Sequence, residues 1–125
     1  MEGAPGWDIR SVPKCEPFSG RDEDWLEWSF TFKSYAFVLG VGTQIGAVEL
    51  LADPPDLVDM TREAEANAIM LYHVLVQMLK GKSKKRAMAC EVGNGFKLWW
   101  ELRHAYESMI PGRHQSMLMA LLKPD

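Results

Sequence analysis

An all-α fold follows from three features of this sequence. Apolar residues recur at spacings of three and four across positions 25–39, 64–79 and 96–106. No run shows the strict apolar/polar alternation of a half-buried strand. The stretches between are short clusters of glycine, proline and asparagine, which stop helices. Hydrophobic residues make up 47% of the 125 positions, enough to supply one core and too short a chain for two domains. The expected architecture is a compact bundle of five to six helices over residues 21–125, preceded by an extended or flexible arm over residues 1–20.

The arm is read from Pro5, Pro13 and Pro17 together with Gly3, Gly6 and Gly20, a density that excludes a helix. Phe18, before Ser19-Gly20, is the expected anchor of the arm. Asp22 is the expected N-cap of the first helix, with Glu23 and Asp24 placing negative charge at its positive end. Trp25, Trp28, Phe32, Ala36 and Leu39 form the core stripe. Leu26, Phe30 and Phe37 widen it to most of the circumference, so the helix is buried on several sides or meets a partner. Gly40 ends it as a left-handed C′ residue.

Residues 41–52 fit a short second helix capped by Thr43, and Asp53-Pro54-Pro55-Asp56 breaks it. Thr61 opens the longest helix, with Glu63 and Glu65 in its first turns. Ile69, Tyr72, Val76 and Leu79 line one face, Leu71, Leu75 and Met78 lie alongside, and Gly81 closes it. Ser83 caps a short helix reaching Val92, with Ala87, Met88 and Cys90 inward. Gly93-Asn94-Gly95 is a break whose Asn94 caps the next helix. There Phe96, Trp99, Arg103 and Tyr106 share one face, and Leu98, Leu102, Ala105 and Met109 share another. After Pro111-Gly112, Met117, Leu118, Leu121 and Leu122 mark a final amphipathic helix stopped by Pro124. The predicted core is Trp25, Trp28, Phe32, Tyr72, Leu75, Leu79, Trp99, Leu102, Tyr106, Leu118 and Leu121.

Composition excludes several function classes. The formal net charge of −3 is not that of a polycation, so any nucleic-acid contact must be local. Cys15 and Cys90 stand 75 positions apart, belong to no ligand cluster and read as two reduced thiols in an intracellular, cytoplasmic protein. No metal, cofactor or small-molecule substrate is expected. No apolar run approaches the ~18 residues of a membrane span, and no signal peptide opens the chain. His73, His104 and His114 read as structural, no nucleophile has a base at recognisable spacing, and Gly40-Val41-Gly42 is no phosphate loop. An enzyme is not expected.

Four stretches carry a resemblance: FSG-x4-W-x2-W-x2-F at Phe18 to Phe32, LYHVLVQMLKG at Leu71 to Gly81, GNGFKLWWELRHAYE at Gly93 to Glu107, and MLMALLKP at Met117 to Pro124. Taken in order they resemble the Gag protein of LTR retrotransposons, the copia-like elements above all. The family's Trp-x2-Leu-x3-Tyr helix corresponds to Trp99, Leu102 and Tyr106, followed by Arg113 and the leucine-rich Met117, Leu118, Leu121 and Leu122. The resemblance covers about residues 16–124. It implies a capsid N-terminal-domain-like helical fold that self-associates into a shell and packages RNA. The chain contains neither a Cys-x2-Cys-x4-His-x4-Cys knuckle nor an Asp-Ser/Thr-Gly protease motif, so the resemblance implies the N-terminal part of a Gag. The alternative is a domesticated or truncated module that binds nucleic acid or protein.

Two surfaces are candidate sites. Lys80, Lys82, Lys84, Lys85 and Arg86 place five cations within seven residues, a basic loop for RNA phosphates without interleaved aromatics for base stacking. Trp99 and Trp100 point about 100° apart on a helix, so both cannot face one core. Trp100, with Phe37, is the expected homo-oligomer surface, since exposed apolar groups mark interfaces and tryptophan is enriched at their centres.

Overall fold

The computed structural model describes residues 15–108 and is all-helical there. Five α-helices follow in order: α1 (Trp25–Leu39), α2 (Gly42–Val48), α3 (Arg62–Met78), α4 (Gly81–Ala89) and α5 (Gly95–Glu107), with single 3-10 turns at Asp22–Asp24 and Leu57–Asp59. The expected last helix, with Leu118 and Leu121, lies outside the described residues, as do residues 1–14 of the arm.

The part of the arm that is described is a strap packed into the bundle. Phe18 is fully buried and its N–H donates to the Met78 carbonyl at 2.7 Å, forming a lone parallel bridge with Leu79. Trp28 Nε1 donates to the Glu16 carbonyl at 2.7 Å, and the Tyr106 hydroxyl donates to the Gly20 carbonyl at 2.8 Å. Residues 15–20 thus belong to the domain, because their polar backbone finds partners on α1, α5 and the end of α3.

The chain's entrance to α1 is organised by Ser19, not by Asp22. The Ser19 hydroxyl donates to Asp24 Oδ2 at 2.6 Å and accepts from Arg21 N–H at 3.1 Å, while Asp22 turns to Lys82. At the other end Gly40 adopts φ 93°, the left-handed conformation that lets Val41 N–H reach the Ala36 carbonyl at 2.9 Å. That bond carries the chain straight into α2. Thr43 therefore lies inside α2, whose N-cap is Val41 with no side-chain cap.

In α3 the Thr61 hydroxyl accepts from Ala64 N–H at 3.1 Å, the expected cap. The helix ends at Met78, earlier than Gly81, because Phe18 recruits the backbone there. Gly81 instead opens α4 with φ 60°, and Ser83, expected as a cap, is buried in the first turn with its hydroxyl donating to the Lys80 carbonyl. Two apolar positions face solvent against expectation. Ile69 is exposed because α3 turns Ala68, Leu71, Tyr72 and Leu75 toward α5, and Met88 is exposed while Ala87 and Cys90 point inward.

The core lies where α1, α3 and α5 meet under the strap. Trp25, Trp28, Phe32, Tyr72, Leu75, Leu79, Trp99, Leu102 and Tyr106 are all buried in it. Its centre is aromatic: Trp25 stacks on Tyr106 at 5.2 Å, Phe32 on Trp99 at 5.3 Å and Phe18 on Trp28 at 5.1 Å.

Asn94 secures the junction to α5. It is fully buried; its Oδ1 accepts from Lys97 N–H at 3.0 Å, and its Nδ2 donates to the Pro55 carbonyl and to Glu91 Oε1, each at 3.0 Å. Asn94→Ala removes the cap, worth about 0.5–2 kcal/mol, and strips the Pro55 carbonyl and the Glu91 carboxylate of a donor held in the core. The expected loss is about 3 kcal/mol in urea unfolding, and Asn94→Asp, which restores only the cap, recovers less than half of it. A loss below ~1 kcal/mol would show that the Pro55 loop is not tied to α5.

Candidate functional site

Three groups of side chains stand out above the core. The first is a chain of charges along α5. Glu49, at the end of α2, accepts from Trp99 Nε1 at 3.0 Å and pairs with Lys33 at 3.4 Å and Arg103 at 3.7 Å. Arg103 also pairs with Glu107 at 3.4 Å, and Glu107 Oε2 accepts from Trp25 Nε1 at 3.1 Å. The two central tryptophans therefore satisfy their only donors at carboxylates that are largely buried and held by cations. The role of this ladder is structural: it fixes α1, α2 and α5 against one another. Each link came from residues the spacing alone leaves separate, and no sequence signal marks Glu49 as their meeting point.

The second group is the basic run. The structure places Lys82, Lys84, Lys85 and Arg86 in α4 with Lys80 at its N-cap, so the run is a helix and not a loop. Lysines in a first turn oppose the helix dipole by a few tenths of a kcal/mol each. Two of the five cations are engaged within the domain. Lys82 Nζ donates to Asp22 Oδ1 at 2.7 Å, and this hydrogen bond raises its pKa. Lys84 Nζ donates to the Val76 carbonyl in the last turn of α3 at 2.8 Å. Lys80, Lys85 and Arg86 are exposed and make no ion pair with the described residues. Arg86 and Lys82 edge a cleft of about 190 Å³ that Asp22, Ala105 and Tyr106 complete. Lys82 stands 5.3 Å from the centre of the Tyr106 ring, and burial raises the phenol's pKa.

The third group is apolar and lies on the outer flank of α1. Phe30 is 75% exposed and Phe37 62%, on a helix whose opposite side buries Trp25, Phe32 and Ala36 completely. Trp100, the expected companion of Phe37, is half-buried. It stacks on His104 at 4.0 Å and its Nε1 donates to the Leu51 carbonyl at 3.1 Å, so it binds the end of α2 to α5. Phe37 and Trp100 sit on different helices separated by α2, and Phe30 takes the place sequence reasoning gave to Trp100. The signal for Phe30 was its position seven residues before Phe37.

The described residues contain no group of three histidine, cysteine or acidic side chains able to hold a metal ion. None of their helices is long and apolar enough to cross a membrane. Cys15 and Cys90 are buried, and burial pushes each thiol from 9.0 to about 11. A raised thiol pKa favours the neutral form in the folded state. The associated stability is complete below pH 9 and is lost as the pH climbs toward 11. At pH 8 the two thiols are expected to react with a disulfide reagent about a hundredfold more slowly than free cysteine. Urea abolishes the difference; equal rates in native buffer would contradict the burial of both side chains.

No family model, curated protein or solved structure matches this chain.

Proposed function

We propose that this chain is a Gag-like structural segment whose work is self-association into a capsid-like particle. The observation that carries the reading is the outer flank of α1, where two phenylalanine rings stand in water on an otherwise well-packed helix. A folded domain gains nothing by exposing them; burial of each ring against a second molecule is worth about 1.5–3 kcal/mol. The all-helical fold agrees with what the Gag resemblance implies.

Sedimentation of the purified full chain across a concentration series tests the reading. Assembly that rises with concentration in the absence of RNA supports it; a monomer at millimolar concentration overturns it.

A second reading is favoured by the start of α4, where Lys80, Lys85 and Arg86 make no ion pair with the described residues. These would contact RNA phosphates without sequence preference. Three phosphate contacts on a single strand give a log–log salt slope of about −2. Binding with that slope to a protein that stays monomeric would replace the first reading with the second.

A further inference from the structure

The chain contains two asparagines, and Asn94 is the one followed by glycine. That pair carries a chemistry of its own. The Gly95 backbone nitrogen attacks the side-chain carbonyl carbon of Asn94. A C–N bond forms, the Cγ–Nδ2 bond breaks, and ammonia leaves with a five-membered imide closed across the two residues. Water then opens the imide at either carbonyl. One product has aspartate at position 94. The other, isoaspartate, routes the main chain through the side-chain carbon and lengthens the backbone by one methylene. Isoaspartate is the main product of such imides. Glycine favours the attack because no Cβ shields its nitrogen and its backbone turns freely. At Asn67-Ala68 the alanine Cβ stands in the way.

The fold withholds each part of this reaction. Asn94 is fully buried, so water does not reach the carbonyl carbon. The leaving nitrogen, Nδ2, is held by the Pro55 carbonyl and Glu91 Oε1, each at 3.0 Å. The carbonyl oxygen, Oδ1, accepts from Lys97 N–H at 3.0 Å. Ring closure turns the side chain back onto Gly95 and breaks all three bonds. Gly95 is wedged against α3, where even a Cβ would strike the Tyr72 nitrogen and the Ala68 carbonyl, so it has no slack to meet the attack. The products fit no better. Aspartate keeps the bond to Lys97 N–H but sets a carboxylate oxygen against the Glu91 carboxylate and the Pro55 carbonyl, where a donor stood. Isoaspartate adds a backbone atom at the entry to α5, beside the glycine that has no room to shift.

We infer that Asn94-Gly95 is a modification site gated by the fold. The native domain keeps its asparagine, an unfolded chain is converted to aspartate or isoaspartate, and the isoaspartate form no longer regains the native packing. The only co-reactant is water. The site limits how long the chain survives unfolded, and it makes a prolonged opening of the junction between α4 and α5 irreversible. The inference does not depend on the self-association reading.

The test incubates the full chain in mildly alkaline buffer with and without urea and reads position 94 by peptide mass spectrometry. Conversion adds one dalton, and fragmentation of the backbone separates isoaspartate from aspartate. In urea Asn94 is expected to convert while Asn67, the internal control, stays intact. In native buffer the conversion of Asn94 is expected to fall by a factor of about one hundred or more, because only rare open chains react. The urea samples are then returned to buffer and separated by size-exclusion chromatography. The compact fraction is expected to contain asparagine or aspartate at position 94 and to exclude isoaspartate. Native conversion within about tenfold of the urea rate overturns the gating. Isoaspartate chains that elute with the compact fraction and melt like the wild type overturn the irreversibility.

Discussion

Gly95→Ala is expected to cost the domain about 3 kcal/mol or more, although alanine is the better helix former. Gly95 is the first residue of α5 and lies against the backbone of α3. A Cβ there would collide with the Tyr72 backbone nitrogen, and would come within 2.7 Å of Leu71 Cβ and 2.8 Å of the Ala68 carbonyl. All three belong to α3, and none is the end of a flexible side chain. Relief requires moving one helix away from the other, which opens the largest helix–helix contact in the core. Overpacking in a rigid core costs about 1–3 kcal/mol and more where backbone must shift. The helix-propensity gain of under ~1 kcal/mol does not offset it. Urea unfolding decides the matter: a lowered midpoint with an unchanged slope is the expected result. A stability equal to wild type would mean that α3 and α5 are farther apart than described.

This close approach explains why some of the fold was legible in the sequence and some was not. Thr61, Asn94 and Gly40 were readable because caps and left-handed stops act through bonds a few residues away. Gly81 was misread because its role depends on Phe18, 63 positions earlier, which takes the backbone at the end of α3. Ile69 was misread for the same kind of reason. Periodicity offered two adjacent stripes on α3, and the contact with Gly95 centres burial between them on Ala68, Leu71 and Tyr72, which leaves Ile69 outside. Local chemistry is written locally; the choice between two adequate apolar faces is made by whatever packs against them.

The candidate surfaces follow the same division. The density of cations at 80–86 is visible in one line of sequence. That Lys82 answers Asp22 and Lys84 answers Val76 is not, and those two bonds decide which cations remain for a ligand. The outer flank of α1 was legible as excess apolarity.

Trp25→Ala is expected to have the largest effect of any single truncation in the domain. The side chain is fully buried and its ring lies within 5.8 Å of four others: Phe18, Trp28, Trp99 and Tyr106. These come from the strap, α1 and α5, so one indole joins the start of the domain to a helix some seventy positions later. Truncation of a buried tryptophan costs about 3–5 kcal/mol. Here the loss also takes one donor from Glu107, which accepts from the indole N–H and pairs with Arg103. A total near the upper end, about 5 kcal/mol, equals the whole stability of a marginal domain. The melting temperature should fall by roughly 20 °C or more, with loss of the near-ultraviolet circular dichroism that packed rings produce. Trp25→Phe separates the two contributions, since it keeps an aromatic ring and removes only the donor and part of the volume. It should recover more than half of the loss. If alanine is tolerated within ~1 kcal/mol, the aromatic centre does not hold the strap to α5, and the hydrogen bond from Tyr106 to the Gly20 carbonyl must do so instead.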